Sequence, residues 1–220
     1  MEVMQLHKSI EERAQAPTSL RERNKAKKHL AILNAARALL LSEGYDRTTM
    51  NLIADRAEVG VATVYKYYGT KGALVVELTR NDMEEMLVAA DKVLADPPEK
   101  PVDAVIAILE APFNLPMVKA GASLVRYFMD EMWHNQDDVG HKYMRSALAK
   151  FEKLIETLLD QFQGRGLLER NVNTKDAARI IHTLIDYNYI CFARGQIGSV
   201  EAMAELTYKQ VRMLFDNWSA

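Results

Sequence analysis

Apolar positions along this chain recur at helical spacing, and almost nowhere at the alternation a strand requires. Residues 1–22 show no sustained period and read as a mobile arm. The basic stretch at 21–28 runs into a first helix that continues to about Ser42. Leu30, Leu33, Ala36 and Leu40 form its apolar stripe, widened by Ile32, Ala35 and Leu39, and Gly44 ends it. Thr48 or Thr49 can cap a second helix whose Leu52, Ile53 and Ala57 face inward. After Glu58-Val59-Gly60 comes a third, from Val61 to about Tyr68, broken by Gly69-Thr70. A fourth, from Lys71 to about Ala95, carries Leu74, Leu78, Met86 and Val93 and has the length of a connecting rod. Three prolines within 97–101 stop it, since proline lacks the N–H a helix interior needs. Five more helices are predicted at 102–113, 117–134, 138–163, 174–193 and 200–218. The best patterned holds Phe151, Leu154, Ile155, Leu158, Leu159 and Phe162. The fold class is all-α: a small three-helix unit over 23–70, and a larger helical unit over 71–220.

Composition narrows the class further. With 49% hydrophobic and 26% charged residues, the chain has the profile of a globular protein with a real core. No apolar run reaches the ~18 residues of a membrane span, and the first residues include carboxylates with no apolar run, unlike a secretory signal. Cys191, the single cysteine, excludes an intramolecular disulfide and fits a reducing cytoplasm. The net charge of −2 conceals a division: between 21 and 80 there are 11 Lys or Arg against 6 Asp or Glu. That segment therefore carries +5 and the rest −7. Phosphates would meet the small basic unit and be kept off the acidic remainder.

The chemistry concentrates between Thr48 and Leu74. Two helices of about two turns are joined by a tight turn, and the second carries three tyrosines and a lysine. A helix that small cannot hold a core of its own, but it can enter a DNA major groove while its neighbour braces it. Residues at its start enter first: Val61, Ala62 and Thr63, then Tyr65 and Lys66 one turn on. Val61 and Ala62 offer no donors and would read shape and thymine methyl groups, whereas Tyr65 and Lys66 can reach bases or phosphates. Lys25 and Lys28, with Arg23 and Lys27, would add salt-dependent attraction. Val64 and Tyr68 fall on the inward side and read as packing.

This segment resembles the DNA-binding domain of the tetracycline-repressor (TetR) family of bacterial regulators. The resemblance rests on Thr49, Ile53-Ala54, Ala57, Val59, the run Thr63-Val64-Tyr65-Lys66-Tyr67-Tyr68, and Lys71 followed by Leu74. Upstream, the run from Leu40 to Tyr45 also matches, so about 25–75 is covered. By that resemblance Thr49, Thr63, Tyr67 and Lys71 would hold phosphate oxygens and Asn51 could reach a base edge. Four positions depart from the family pattern: Glu58 for a turn glycine, Gly60 for a capping serine, Tyr68 for phenylalanine and Gly72 for glutamate. Glu58 puts a strained or altered turn in prospect.

The resemblance also implies a homodimer on double-stranded DNA, paired through the last two helices, with Ile181, Leu184, Ile185, Val211 and Leu214 as candidates. The middle helices would hold a small apolar or aromatic effector. Met83, Met86, Phe113, Phe128, Met129, Trp133, Tyr143, Met144 and Tyr187 suit an adaptable apolar pocket, although such residues at helical spacing more often build core. Repression is the commoner mode the resemblance implies; a ligand that tilts the 71–95 rod would move the recognition helices out of register and release DNA. No cofactor, catalytic residue or metal site is expected. A helical enzyme is the runner-up, but Cys191 has no suggestive partner, Ser123 lies in no nucleophile elbow, and no phosphate-binding glycine loop occurs. His134 and His141, with Asp137 and Asp138, lack a recognised ligand spacing. A protein-interaction module without DNA binding is the third reading.

Overall fold

A computed structural model describes residues 19–134 and 139–218, the side chains of 131–141 excepted. The arm expected over 1–22 lies outside the described residues up to 18, but its last part is already helical. Ser19 caps α1 (Leu20–Glu43): its hydroxyl accepts from the Glu22 N–H, and the Glu22 carboxylate accepts from the Ser19 N–H in return. This reciprocal box satisfies two end donors that would otherwise need water.

Two short helices complete the head, α2 (Met50–Arg56) and α3 (Val61–Tyr68). Ile32, Leu33, Ala36 and Leu40 of α1 meet Ile53 and Ala54 of α2 and Val64 of α3 in one core. The buried stripe of α1 is the predicted one but for a single residue: Leu33, Ala36 and Leu40 are buried. Ile32, Ala35 and Leu39 are fully in, while Leu30 stands exposed. Leu52 is likewise exposed, because α2 is short enough for Met50, Ile53 and Ala54 to make its whole inner face.

The rod α4 (Lys71–Ala95) joins head to body and buries residues against both. Beyond it come α5 (Pro101–Phe113), α6 (Pro116–Lys119), α7 (Ala122–His134), α8 (Val139–Gly164), α9 (Thr174–Ala193) and α10 (Val200–Phe215). The single helix expected over 117–134 is two, because Gly121 adopts φ +102° between α6 and α7. In the body α4 packs against α5 and α8, and α8 against α9; α10 closes on α5 and α9. Phe151, Ile155, Leu158, Leu159 and Phe162 of α8 form the centre of this layer. A buried amide ties α9 to α10: Asn188 Nδ2 donates to Thr207 Oγ1 and Gln210 Oε1, each at 2.8 Å. Among the described residues no helix is long and apolar enough to cross a membrane, and no group of three His, Cys, Asp or Glu is placed to hold a metal ion.

Candidate nucleic-acid interface and the cavity behind it

The turn between α2 and α3 is a full helix-ending motif. The Glu58 N–H donates to the Asp55 carbonyl and the Val59 N–H to the Ala54 carbonyl. Such a motif needs its middle residue in the left-handed region, and Glu58 sits there at φ +54°. The strain expected of a glutamate at this glycine position is therefore present. Gly60 opens α3 without a side-chain cap, and Thr49 caps α2 by accepting from the Leu52 N–H at 3.2 Å.

The outer face of α3 is open. Val61, Ala62, Tyr65 and Lys66 are exposed, Tyr65 at 51%, while Val64 is fully buried. Tyr68 packs inward, its hydroxyl 2.9 Å from His29 Nδ1 and its ring stacked on the same imidazole; burial raises its pKa. Thr49 and Asn51 lie exposed on α2. A trough between α1 and α3 is lined by Arg21, Asn24, Lys25, Lys28, Thr63, Lys66 and Tyr67, with Leu20 at one end. Among the described residues it holds four cations and no carboxylate, so it suits a polyanion. Arg21 and Asn24 were missed as trough residues, because sequence spacing on α1 does not say which of its basic faces meets α3. Tyr67 reaches across to donate to the Lys25 carbonyl at 3.2 Å, fixing the angle between the two helices.

Lys71 departs from its expected role as a phosphate ligand. Its ammonium donates to the carbonyls of Tyr45 (2.8 Å) and Thr48 (2.9 Å) and lies 3.8 Å from the centre of the Tyr45 ring. Two of three N–H groups are spent inside the head, and burial lowers its pKa. Lys71 clamps the α1–α2 turn.

Two contacts connect head to body. Tyr127 of α7 stacks on Tyr45 with ring centres 4.1 Å apart, and its hydroxyl occupies the space beside Gly72, where a Cβ would stand 2.0 Å away. That explains glycine at a position where the family has glutamate. Arg37 of α1 pairs with Asp82 of α4, Nη2 to Oδ1 2.8 Å, with side chains 29% and 3% exposed. The approach is close but not aligned as a hydrogen bond, so Asp82 Oδ1 has no aligned donor. Burial raises the Asp82 pKa to about 6; Arg37 and the Met117 backbone N–H, which donates to it, pull the other way.

Met117 belongs to α6 and also lines a cavity of ≈ 290 Å³ in the body. Met83, Met86, Phe128 and Met129 line it too. Other expected residues do not. Phe113 and Met144 are buried core, Phe113 stacking on Tyr189. Tyr143 turns its hydroxyl to Glu84 at 3.2 Å, and Tyr187 is 61% exposed on the far side of α9. The Trp133 side chain, and those of His134, His141, Asp137 and Asp138, fall outside the described residues. His182, Asp186 and Tyr189 of α9 also line it; the first two are polar, so apolar patterning in the sequence does not point to them. Of the expected pairing residues, Ile181, Ile185 and Val211 are buried in this chain's own core. Leu184 and Leu214 are half-buried, and the apolar side chains left outside on α9 and α10 are Ile180, Tyr187, Leu206 and Met213.

Residues 32–78 match the model of bacterial regulatory proteins of the tetR family. That segment is a DNA-binding domain of the tetR-family type. The chain is 47% identical over 49 residues to the uncharacterized HTH-type transcriptional regulator YdeS of Bacillus subtilis (strain 168). That match spans 22% of this chain and 25% of the relative's length. Over the whole molecule, the fold is similar to that of FadR of Thermus thermophilus, a TetR-family transcriptional repressor solved with lauroyl-CoA. There the identity is 21%, the TM-score 0.59, and 85% of this chain and 93% of that one are covered. The ketosteroid transcriptional regulator KstR2 of Mycobacterium tuberculosis is similar at 17% identity and TM-score 0.59, covering 87% and 95%.

Proposed function

We propose that the protein is a dimeric transcriptional regulator that reads a palindromic operator with α3 and releases it when a small molecule fills the body cavity. The observation that carries this is the exposed Val61-Ala62-Tyr65-Lys66 face beside a trough lined by four cations. One head grips too few base pairs for strong binding, so two must be held about one helical turn of DNA apart, ~34 Å or a multiple. Ile180 and Tyr187 of α9, with Leu206 and Met213 of α10, are the surface a second copy would cover. Their apolar area on adjoining helices supports that reading, with the register shifted by about one residue from the sequence expectation.

Release follows from the two head-to-body contacts. α6 touches the cavity through Met117 and holds Asp82, the partner of Arg37, while α7 touches it through Val125, Phe128 and Met129 and holds Tyr45 through Tyr127. A ligand that displaces either helix shifts α1 and the α1–α2 turn relative to α4. It acts only so far as it prefers the displaced state. Selection of binding duplexes from a random pool by the purified protein should enrich inverted repeats, with affinity falling steeply as salt rises. Sedimentation should show a dimer that Tyr187→Asp converts to monomer. Enrichment of no sequence, or salt-insensitive retention, would overturn the proposal.

A further inference from the structure

The polar end of the body cavity says what kind of molecule would fill it. Apart from one corner its walls are thioether, aromatic and aliphatic: Met83, Met86, Met117, Phe128 and Phe151 among them. The corner is His182 and Asp186; among the described residues the only other ionisable side chain in the lining is the Tyr189 phenol, and no lysine or arginine lines the cavity. The phenol is already committed, donating to the Pro112 carbonyl at 2.8 Å.

His182 Nδ1 lies 3.0 Å from Glu152 Oε2. A carboxylate only accepts, so Nδ1 carries the hydrogen, and in the neutral ring Nε2 is a lone pair. That Nε2 is buried and has no hydrogen-bond partner among the described residues. Across from it, at 3.8 Å, stands Asp186 Oδ1, a second acceptor. Glu152 has a cation of its own, Arg179 Nε at 3.6 Å from Oε1. Among the described residues Asp186, its side chain 57% exposed, has His182 as its one ion-pair neighbour, and desolvation raises its pKa. With the ring neutral, two acceptors face each other across a gap too long for a direct bond, at the edge of an apolar chamber.

We infer that the cavity takes an apolar molecule ending in a protonated amine, whose N–H groups bridge His182 Nε2 and Asp186 Oδ1. The inference rests on the cavity being the effector site. An ammonium supplies several donors and the positive charge Asp186 lacks; a carboxylate or phosphate would be repelled by Asp186 and leave the imidazole lone pair unmet. At roughly the 30 Å³ that a water occupies in the liquid, the cavity holds about ten non-hydrogen atoms. A medium-length alkylamine or an arylalkylamine has that size.

Calorimetric titration of the full chain with decylamine, 1-decanol and decanoate at neutral pH tests this. Decylamine should bind about tenfold or more tighter than decanoate, with decanol between, as expected of a charge-assisted pair against a like-charge clash. Asp186→Asn, at an exposed position, should erase that preference while leaving decanol binding within about threefold, because the apolar walls are untouched. Leu148→Trp, which fills the chamber, should abolish all three titrations. Equal or tighter binding of decanoate, an unchanged preference in Asp186→Asn, or decylamine binding unaffected by Leu148→Trp would each overturn the inference. DNA binding measured on the same preparations separates the two readings. A protein that binds duplex but shows no amine preference sinks this inference alone; one that prefers the amine but ignores duplex sinks the regulator reading and leaves this one standing.

Discussion

Asp82→Asn should make the protein more stable at pH 8 than the wild type, although it deletes one half of a buried ion pair. Asp82 is 3% exposed, and its pKa is raised from 3.8 to about 6 even with Arg37 2.8 Å away. Desolvation therefore outweighs the attraction, as it often does for buried pairs. The sign follows from proton linkage. Between pH 3.8 and about 6 the folded protein holds a proton that the unfolded chain has given up. This group's stabilising contribution is complete below 3.8 and is lost as pH climbs through about 6. Raising a carboxyl by that interval corresponds to ~3 kcal/mol. Asparagine keeps an acceptor for the Met117 N–H and never ionises, while Arg37, 29% exposed, can turn to water. Urea denaturation from pH 4.5 to 8 measures the difference between variant and wild type. It should rise with pH by ~2–3 kcal/mol in favour of Asn. Arg37→Met should do the reverse, since it leaves the carboxylate buried without a cation; Asp82 then keeps its proton to higher pH and the variant weakens most at pH 8. Parallel pH profiles for wild type and Asp82→Asn would refute the reasoning and show that the pair is solvated.

Three further outcomes are expected. Glu58→Gly should stabilise the head by about 1 kcal/mol, because Glu58 sits at φ +54° where a Cβ is strained; thermal melting that is unchanged or lower would contradict it. Gly72→Ala should destabilise by about 1–3 kcal/mol through overpacking against Tyr127 Oη, and Tyr127→Phe in that background should recover part of the loss. Absence of any recovery would mean the clash is relieved elsewhere. Lys66→Ala should weaken duplex binding and lower the slope of log affinity against log salt by about 1, whereas Lys71→Ala should act mainly on stability. A salt slope changed by Lys71→Ala but not by Lys66→Ala would invert the assignment of the two lysines.

Local chemistry alone determines much of this molecule. Helices over 61–68, 71–95 and 174–193 coincide with their predicted bounds because glycine, proline and capping residues punctuate them, and those signals act within a few residues. The outward face of α3 and the inward Val64 and Tyr68 are legible for the same reason: a two-turn helix has only one way to bury its apolar side. Spacing shows that a stripe exists, but on helices apolar on two sides it does not say which stripe meets the core. Thus Ile181 and Ile185 are inside and Ile180 and Tyr187 outside, one step around the same helix. Leu30 on α1 is misplaced by the same ambiguity. Lys71 reads as a phosphate ligand until the chain brings the Tyr45 and Thr48 carbonyls to its ammonium, 26 and 23 residues away in sequence. The facing of His182 and Asp186 across an apolar chamber, and the fit of Tyr127 against Gly72, are products of packing between helices. Such long-range juxtapositions depend on how α4, α7, α8 and α9 settle together, and no periodicity within one helix encodes them.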